Sequence, residues 1–190
     1  MINEQEVVSR IRESARVKIA LEDQAAIIMA IADRWIGTLS NGGKILFFGN
    51  GGSAADAQHM AAELSGRFYR DRPGLAALAL STNSSAVTAI GNDYGYDAVF
   101  ARQLDGLARP GDLAVGISTS GKSESVLAAL RKAREMNLYS TGMTGRSGHA
   151  LAALTTHCVM VDSDDTPRIQ EAHILAGHII CELVERELFP

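Results

Sequence analysis

The chain has 190 residues, 46% of them hydrophobic and 21% charged, with 18 Lys and Arg against 22 Asp and Glu for a net charge of −4. That length suits one domain with a sizeable core, and the composition is that of an ordinary globular protein. The negative balance, with no run of Lys and Arg, argues against a general nucleic-acid binder, because duplex affinity rests on a concentrated positive surface.

The N-terminal residues MINEQEVVSRIRESAR are polar and carry no apolar signal core, and the longest apolar run, residues 25–32, is far short of the roughly 20 residues that span a bilayer. Two cysteines, Cys158 and Cys181, lie in apolar segments without metal-type spacing, which predicts buried, reduced thiols and a cytoplasmic location, with no membrane partner.

From residue 7 to 39 apolar residues recur at helical spacing, as at Val8, Ile11, Ala15, Ile28, Ile31, Trp35 and Leu39, until NGG at 41–43 ends the pattern. One long helix or two shorter ones are predicted, with Trp35 on the core stripe. So much amphipathic helix ahead of the first strand sets residues 1–40 apart as a helical region suited to subunit packing, and 41–190 as an α/β domain. Short apolar strands are predicted at 44–49, 75–80, 112–118, 138–144 and 157–162, each followed by helix. The alternation indicates a doubly wound, five-stranded parallel sheet covered on both faces.

GISTSGKS at 116–123 fits the nucleotide-binding pattern G-x-x-x-x-G-K-[ST]. An ATP loop would place Lys122 on the β and γ phosphates and Ser123 on Mg²⁺, and Asp162 could supply the acidic metal partner. In that pattern the first glycine begins the turn after the strand, whereas Gly116 falls inside the strand LAVGIS, which leaves STSGKS alone as loop. Together with GNGGSA at 49–54 and STNSSA at 81–86 it forms a set of small, hydroxyl-rich loops at strand carboxyl ends. Such loops abut helix N-termini that favour anions, so a phosphate is expected there. Simple N-capping accounts for one such loop better than for three.

The helix after Ser53 has a core stripe of Ala57, Met60, Ala61 and Leu64, with Ser53 and Asp56 reading as a capping box. His59 and Glu63, four apart, share another face as a solvated pair or as a pair of metal or proton-transfer groups. The last helix is expected to open with Thr166 as cap and Pro167 at its first position. Its core stripe is Ile169, Ala172, Ala176, Ile180 and Leu183, with His173 a packed structural histidine at its edge. Gln170, Ile174, His178 and Cys181 form a second, partly apolar face suited to contact with another element or subunit. His59, Glu63, Gln170 and His178 offer nitrogen and oxygen donors in a number that suits Zn²⁺. Spacing alone does not make that site, since eight residues along a helix rise about 12 Å.

The blocks GNGGSAADAQHMAAELSGRF, ALSTNSSAVTAIGNDYGYDAVFARQL, GISTSGKS and TPRIQEAHILAGHIICELVE resemble the phosphoheptose isomerase branch of the sugar-isomerase (SIS) domain family over nearly the whole chain. The resemblance implies a flavodoxin-like three-layer sandwich and a cytoplasmic homotetramer with one zinc ion per subunit. It implies conversion of sedoheptulose 7-phosphate to D-glycero-D-manno-heptose 7-phosphate, a small sugar phosphate feeding bacterial surface glycans. By motif, it places zinc on His59, Glu63, Gln170 and His178, and proton transfer on Glu63 and His178. Sugar-phosphate contacts fall on Asn50, Gly51, Gly52, Ser53, Asn92, Asp93, Ser118, Thr119, Ser120, Ser123 and Gln170. The family also holds a nonenzymatic adaptor branch that associates with the bacterial replication initiator, which has no need of Glu63 and His178. Lys122 departs from the family pattern, which commonly has Asn there.

Overall fold

In the computed structural model, which describes residues 3–190, five strands form one sheet: β1 Ile45–Gly49, β2 Ala77–Ala79, β3 Leu113–Ser118, β4 Tyr139–Gly145 and β5 His157–Val161. All pair in parallel, in the order β2-β1-β3-β4-β5. Every residue of β1 and β3 is buried, which is why ILFFG and LAVGIS read as unbroken apolar runs rather than alternating ones. This is the flavodoxin-like order, and the winding reverses between β1 and β3. Gly116 pairs with Phe48 on one side and Gly142 on the other, in mid-ladder as the sequence indicates.

Strand pleating sends Ile45 and Phe47 to one core and Leu46 and Phe48 to the other. The first core is closed by α2 (Ala25–Ser40), α3 (Gly52–Ser65) and α8 (Thr166–Leu188), and holds Trp35, Met60, Leu64, Ala172 and Ile180. Trp35 is fully buried and meets Phe47 edge-on, with ring centroids 5.1 Å apart. The second core is closed by α5 (Ala101–Leu107), α6 (Glu124–Glu135) and α7 (His149–Ala152), with α4 (Ser84–Tyr94) packed at its rim. The predicted N-terminal helix is two, α1 (Glu4–Ile19) and α2, joined by a 3₁₀ turn over Ala20–Gln24. α1 lies against α8, where the Ser14 hydroxyl donates to Glu171 at 2.5 Å, and it leaves Val7, Ile11 and Ile19 exposed.

Three local readings need correction. Gly51, not Ser53, caps α3: the chain turns there with φ of +55°, a region open to glycine, so Ser53 is carried into the first helical turn and buried. Asp165 occupies the cap position of α8, one residue before Thr166, and no side chain completes a capping bond at either helix. Cys181 belongs to the core rather than to a second face of α8, and burial pushes its thiol up to about 12. Cys158 is half-buried and equally shifted, so both thiols are held protonated at neutral pH.

The two sheet edges differ. β2 is only three residues long, and the main-chain N–H of Met160 in β5 donates outward to the Gln24 side-chain oxygen at 3.4 Å.

Candidate active site

Where the winding reverses, the loops after β1 and β3 part to opposite faces and leave a hollow of about 190 Å³ lined by Asn50, Ser53, Ile117, Ser118, Thr119, Ser120 and Ser123. The loop after β3 turns at Gly121, whose φ of +63° and close approach to Gly148 exclude any side chain. Ser118 and Ser120 hydroxyls accept from the N–H groups of Gly121 and Lys122, both at 3.2 Å, which stiffens the turn. The hollow lies between the N-termini of α3 and α6 and is lined by hydroxyls, an arrangement suited to an anion. Lys122 is exposed and lines a separate, adjoining hollow with Thr119, Ser120, Ser147, Asp164, Thr166 and Ile169.

Not every sequence-derived contact reaches this cradle. The STNSSA loop follows edge strand β2, and Asn83 caps α4 there by accepting from Ala86 N–H at 3.1 Å, the plain capping role. Asn92 and Asp93, at the far end of α4, bond each other at 2.8 Å and stay exposed. The residue that does reach in from this side is Tyr96, whose hydroxyl donates to Asn50 Oδ1 at 2.8 Å. Nothing in the sequence marked it, because a tyrosine in a polar turn carries no motif.

A second cluster lies between α3 and α8, which pack closely because Gly177 leaves room only for Met60. His59 Nε2 stands 3.2 Å from Glu63 Oε1 and 2.9 Å from His178 Nε2. One donor atom from each of the three falls within 4.8 Å of the others. Two ring nitrogens and a carboxylate oxygen converging in this way fit a zinc ion with one coordination place left open. Gln170 comes from earlier on α8. Its amide packs against Gly52, where any Cβ would run into it, and it precedes His178 by eight residues, about 12 Å of helix. The three His and Glu donors thus converge, and the Gln170 amide sits at the cradle end of α3.

One turn before His59, Asp56 is half-buried with Oδ2 lacking any partner among the described residues, and burial pushes its carboxyl up to about 6 against the pull of His59. His173, on the sheet side of α8, is fully buried with neither ring nitrogen bonded, as a packed structural histidine. Burial pushes it down to about 4, and the nearby Thr144 main chain offsets this only in part.

The cluster is braced from the C-terminal end of α3 by a buried ion pair. Arg72 Nε donates to Glu185 Oε1 at 3.0 Å, with the side chains 2% and 3% exposed. The Arg72 fork also donates to the Glu63, Leu64 and Gly66 carbonyls at the end of α3, where the Leu64 carbonyl accepts from Leu75 N–H as well. Glu185 accepts from the N–H groups of Phe68, Tyr69 and Arg70 at 3.0, 2.7 and 3.0 Å. Burial raises the Glu185 carboxyl, but these donors and Arg72 outweigh it and hold it below the usual range. The brace thereby fixes Phe68, whose ring centroid lies 5.8 Å from that of His178.

The chain matches the family model described as SIS domain over residues 11–145. It is 54% identical to the phosphoheptose isomerase of Roseiflexus sp. (strain RS-1) over 184 residues, covering 96% of this chain and 93% of the relative. It is 50% identical to the phosphoheptose isomerase of Aneurinibacillus thermoaerophilus, covering 96% and 94%. Among solved structures, phosphoheptose isomerase GmhA from Neisseria gonorrhoeae superposes with a TM-score of 0.91 at 43% identity, covering 96% of this chain and 98% of that one. At this identity and coverage the chain belongs to the phosphoheptose isomerase family of SIS-domain proteins.

Proposed function

We propose that this sugar-phosphate isomerase converts sedoheptulose 7-phosphate to D-glycero-D-manno-heptose 7-phosphate, the first step toward activated heptose for bacterial surface glycans. The observation that carries it is the pairing of a hydroxyl-lined anion cradle at the N-termini of α3 and α6 with a His59–Glu63–His178 cluster on α3 and α8. The cradle holds the phosphate of the open-chain sugar through the Ser118, Thr119, Ser120 and Ser123 hydroxyls and the first N–H groups of α3 and α6. Gln170, beside Gly52, serves as a sugar contact at its rim.

Ketose–aldose isomerisation removes a proton from C1, passes through an enediolate and returns a proton at C2. Glu63 and His178, facing each other across the two helices, are the base and acid for these transfers. His59, Glu63 and His178 would hold zinc, which when bound supplies Lewis-acid polarisation of the substrate oxygens. Among the His, Cys, Asp and Glu side chains of the described residues these three converge, the Cys181 thiol being buried in the core.

The exposed Val7, Ile11, Ile19 and Met29, and an apolar groove between α2 and α8 lined by Leu21, Ile28, Leu175, Ile179 and Leu183, support assembly as a homotetramer. No helix among the described residues is long and apolar enough to cross a membrane, and the net negative charge supports a small-molecule rather than nucleic-acid partner, in the cytoplasm. Against the nucleotide-binding reading stands the position of Gly116 within the β1–β3–β4 ladder. The test is turnover of sedoheptulose 7-phosphate before and after chelation and again after zinc is restored. Turnover that falls and returns supports the reading, and no turnover by the zinc-loaded protein overturns it.

A further inference from the structure

Both amide hydrogens and the carbonyl oxygen of Asn50 have partners before any ligand arrives. Its two amide hydrogens go to Ser123 Oγ at 2.7 Å and Ser125 Oγ at 2.9 Å, and its carbonyl oxygen accepts from Tyr96 at 2.8 Å. Ser125 is 1% exposed and its oxygen lies 3.3 Å from Ser123 Oγ. With Asn50 donating to both hydroxyl oxygens, the Ser125 hydrogen is free to point at Ser123. Ser123 Oγ then accepts twice, which fills both its lone pairs and leaves its own hydrogen as the single group it can offer. Ser123 lines the cradle and Ser125 does not, so that hydrogen is offered to whatever anion the cradle holds.

The direction of this chain depends on which way the Asn50 amide faces. Turned over, its oxygen would accept from the two serine hydroxyls and consume the hydrogen that Ser123 would otherwise give to a phosphate. Ser123 and Ser125 can serve as donors or acceptors and so do not choose between the two orientations. The phenol of Tyr96, a better donor than acceptor, favours the carbonyl on its side and so biases the choice. We propose that Tyr96 is a positioning residue for phosphate recognition: by holding the Asn50 carbonyl it orients the amide so that Ser123 presents a donor to the substrate phosphate.

Tyr96 is suited to act through its hydroxyl alone. It is 55% exposed and stands in a short 3₁₀ turn just after Gly95, so loss of the phenolic oxygen leaves the cores untouched. The chain of bonds Tyr96–Asn50–Ser123 joins the α4–α5 connection to the N-terminus of α6, with each bond polarising the next. The inference rests on the reading of the hollow as a phosphate cradle, and its test separates the two.

The experiment is steady-state kinetics on sedoheptulose 7-phosphate, with inorganic phosphate as competitor, for Tyr96→Phe, Ser123→Ala and the double variant. Tyr96→Phe is expected to raise KM and the phosphate inhibition constant together by about 5- to 10-fold, with kcat within about twofold of the parent. The double variant is expected to be no worse than Ser123→Ala alone, because Tyr96 acts only through that hydroxyl. Unchanged constants in Tyr96→Phe beside raised ones in Ser123→Ala overturn the relay and leave the cradle standing. Effects that multiply in the double variant also overturn the relay. Unchanged constants in both single variants overturn the cradle and the relay with it.

Discussion

Replacing Arg72 by Met removes one half of the brace behind the His59–Glu63–His178 cluster while roughly preserving volume. Glu185 would then be a carboxylate 3% exposed with no countercharge, and the Glu63, Leu64 and Gly66 carbonyls would each lose a donor. Breaking a buried pair by removing one partner costs about 3 to 5 kcal/mol. The three N–H groups from Phe68 to Arg70 stay on Glu185 and keep it partly satisfied, which puts the expected loss at the lower end, about 3 kcal/mol. Urea unfolding at fixed protein concentration and pH 7.5 measures it. Because Glu185 is held below the usual carboxylate range, the pair contributes above the unfolded value of 4.5 and its contribution is lost as pH falls through the folded one. The deficit of Arg72→Met should therefore shrink in acid. A loss under about 1 kcal/mol at pH 7.5, or one independent of pH down to the acid limit, would refute the claim that this pair ties the end of α3 to α8.

Glu63→Gln and His178→Gln should each lower kcat by about 10² to 10⁴ while the fold is retained, with kcat compared at matched zinc occupancy because both residues are also zinc donors; near-normal kcat in either removes it from proton transfer. Lys122→Ala should raise KM a few-fold without giving or abolishing nucleotide binding, since its side chain lies outside the cradle. Calorimetric affinity for Mg²⁺-ATP that vanishes in that variant would restore the nucleotide reading. His173, at about 4 when folded and 6.5 when unfolded, makes the unfolded chain bind the extra proton, so stability should fall by about 3 kcal/mol as pH drops from 6.5 to 4. His173→Leu should flatten that slope in acid unfolding, and an unchanged slope would assign the acid sensitivity elsewhere. Light scattering should give four times the chain mass, and a fully active monomer would rule out the packing role of α1 and the α2–α8 groove.

The strands and most of the core stripes were legible because burial on both faces of a parallel sheet leaves long apolar runs and because packed helices repeat apolar residues every three or four positions, although Leu183 of the α8 stripe is only partly buried, at the α2–α8 groove. The stripe of Ala57, Met60, Ala61 and Leu64 is buried as the spacing predicts. Strand order was not legible in the runs themselves, since which strand neighbours β1 is decided by crossovers rather than by local pattern. Helix starts slipped by one or two residues: the backbone turn at Gly51 decides where α3 begins, and a serine two residues later has the same look whether it caps or is buried. His59 and Glu63 were visible as a pair at i and i+4. His178 joins them only through the packing of α8 on α3, and the same packing sets the Gln170 amide against Gly52. The brace was invisible because Arg72 and Glu185 are 113 residues apart and each reads singly as a surface charge.

The treatment of the sheet's two margins limits how copies of this chain can join. A parallel sheet presents at its outermost strands a row of main-chain groups that invites another strand to add on, the route to fibres and run-on assemblies. Here one margin, β2, offers only three residues, too few to template a stable addition, and on the other a glutamine from the 3₁₀ turn ahead of α2 occupies the N–H of Met160. Strand addition is thus discouraged on both sides. Any association between copies would then fall to side chains on helices, whose shape can be matched to one partner and closed into a finite assembly instead of growing without limit.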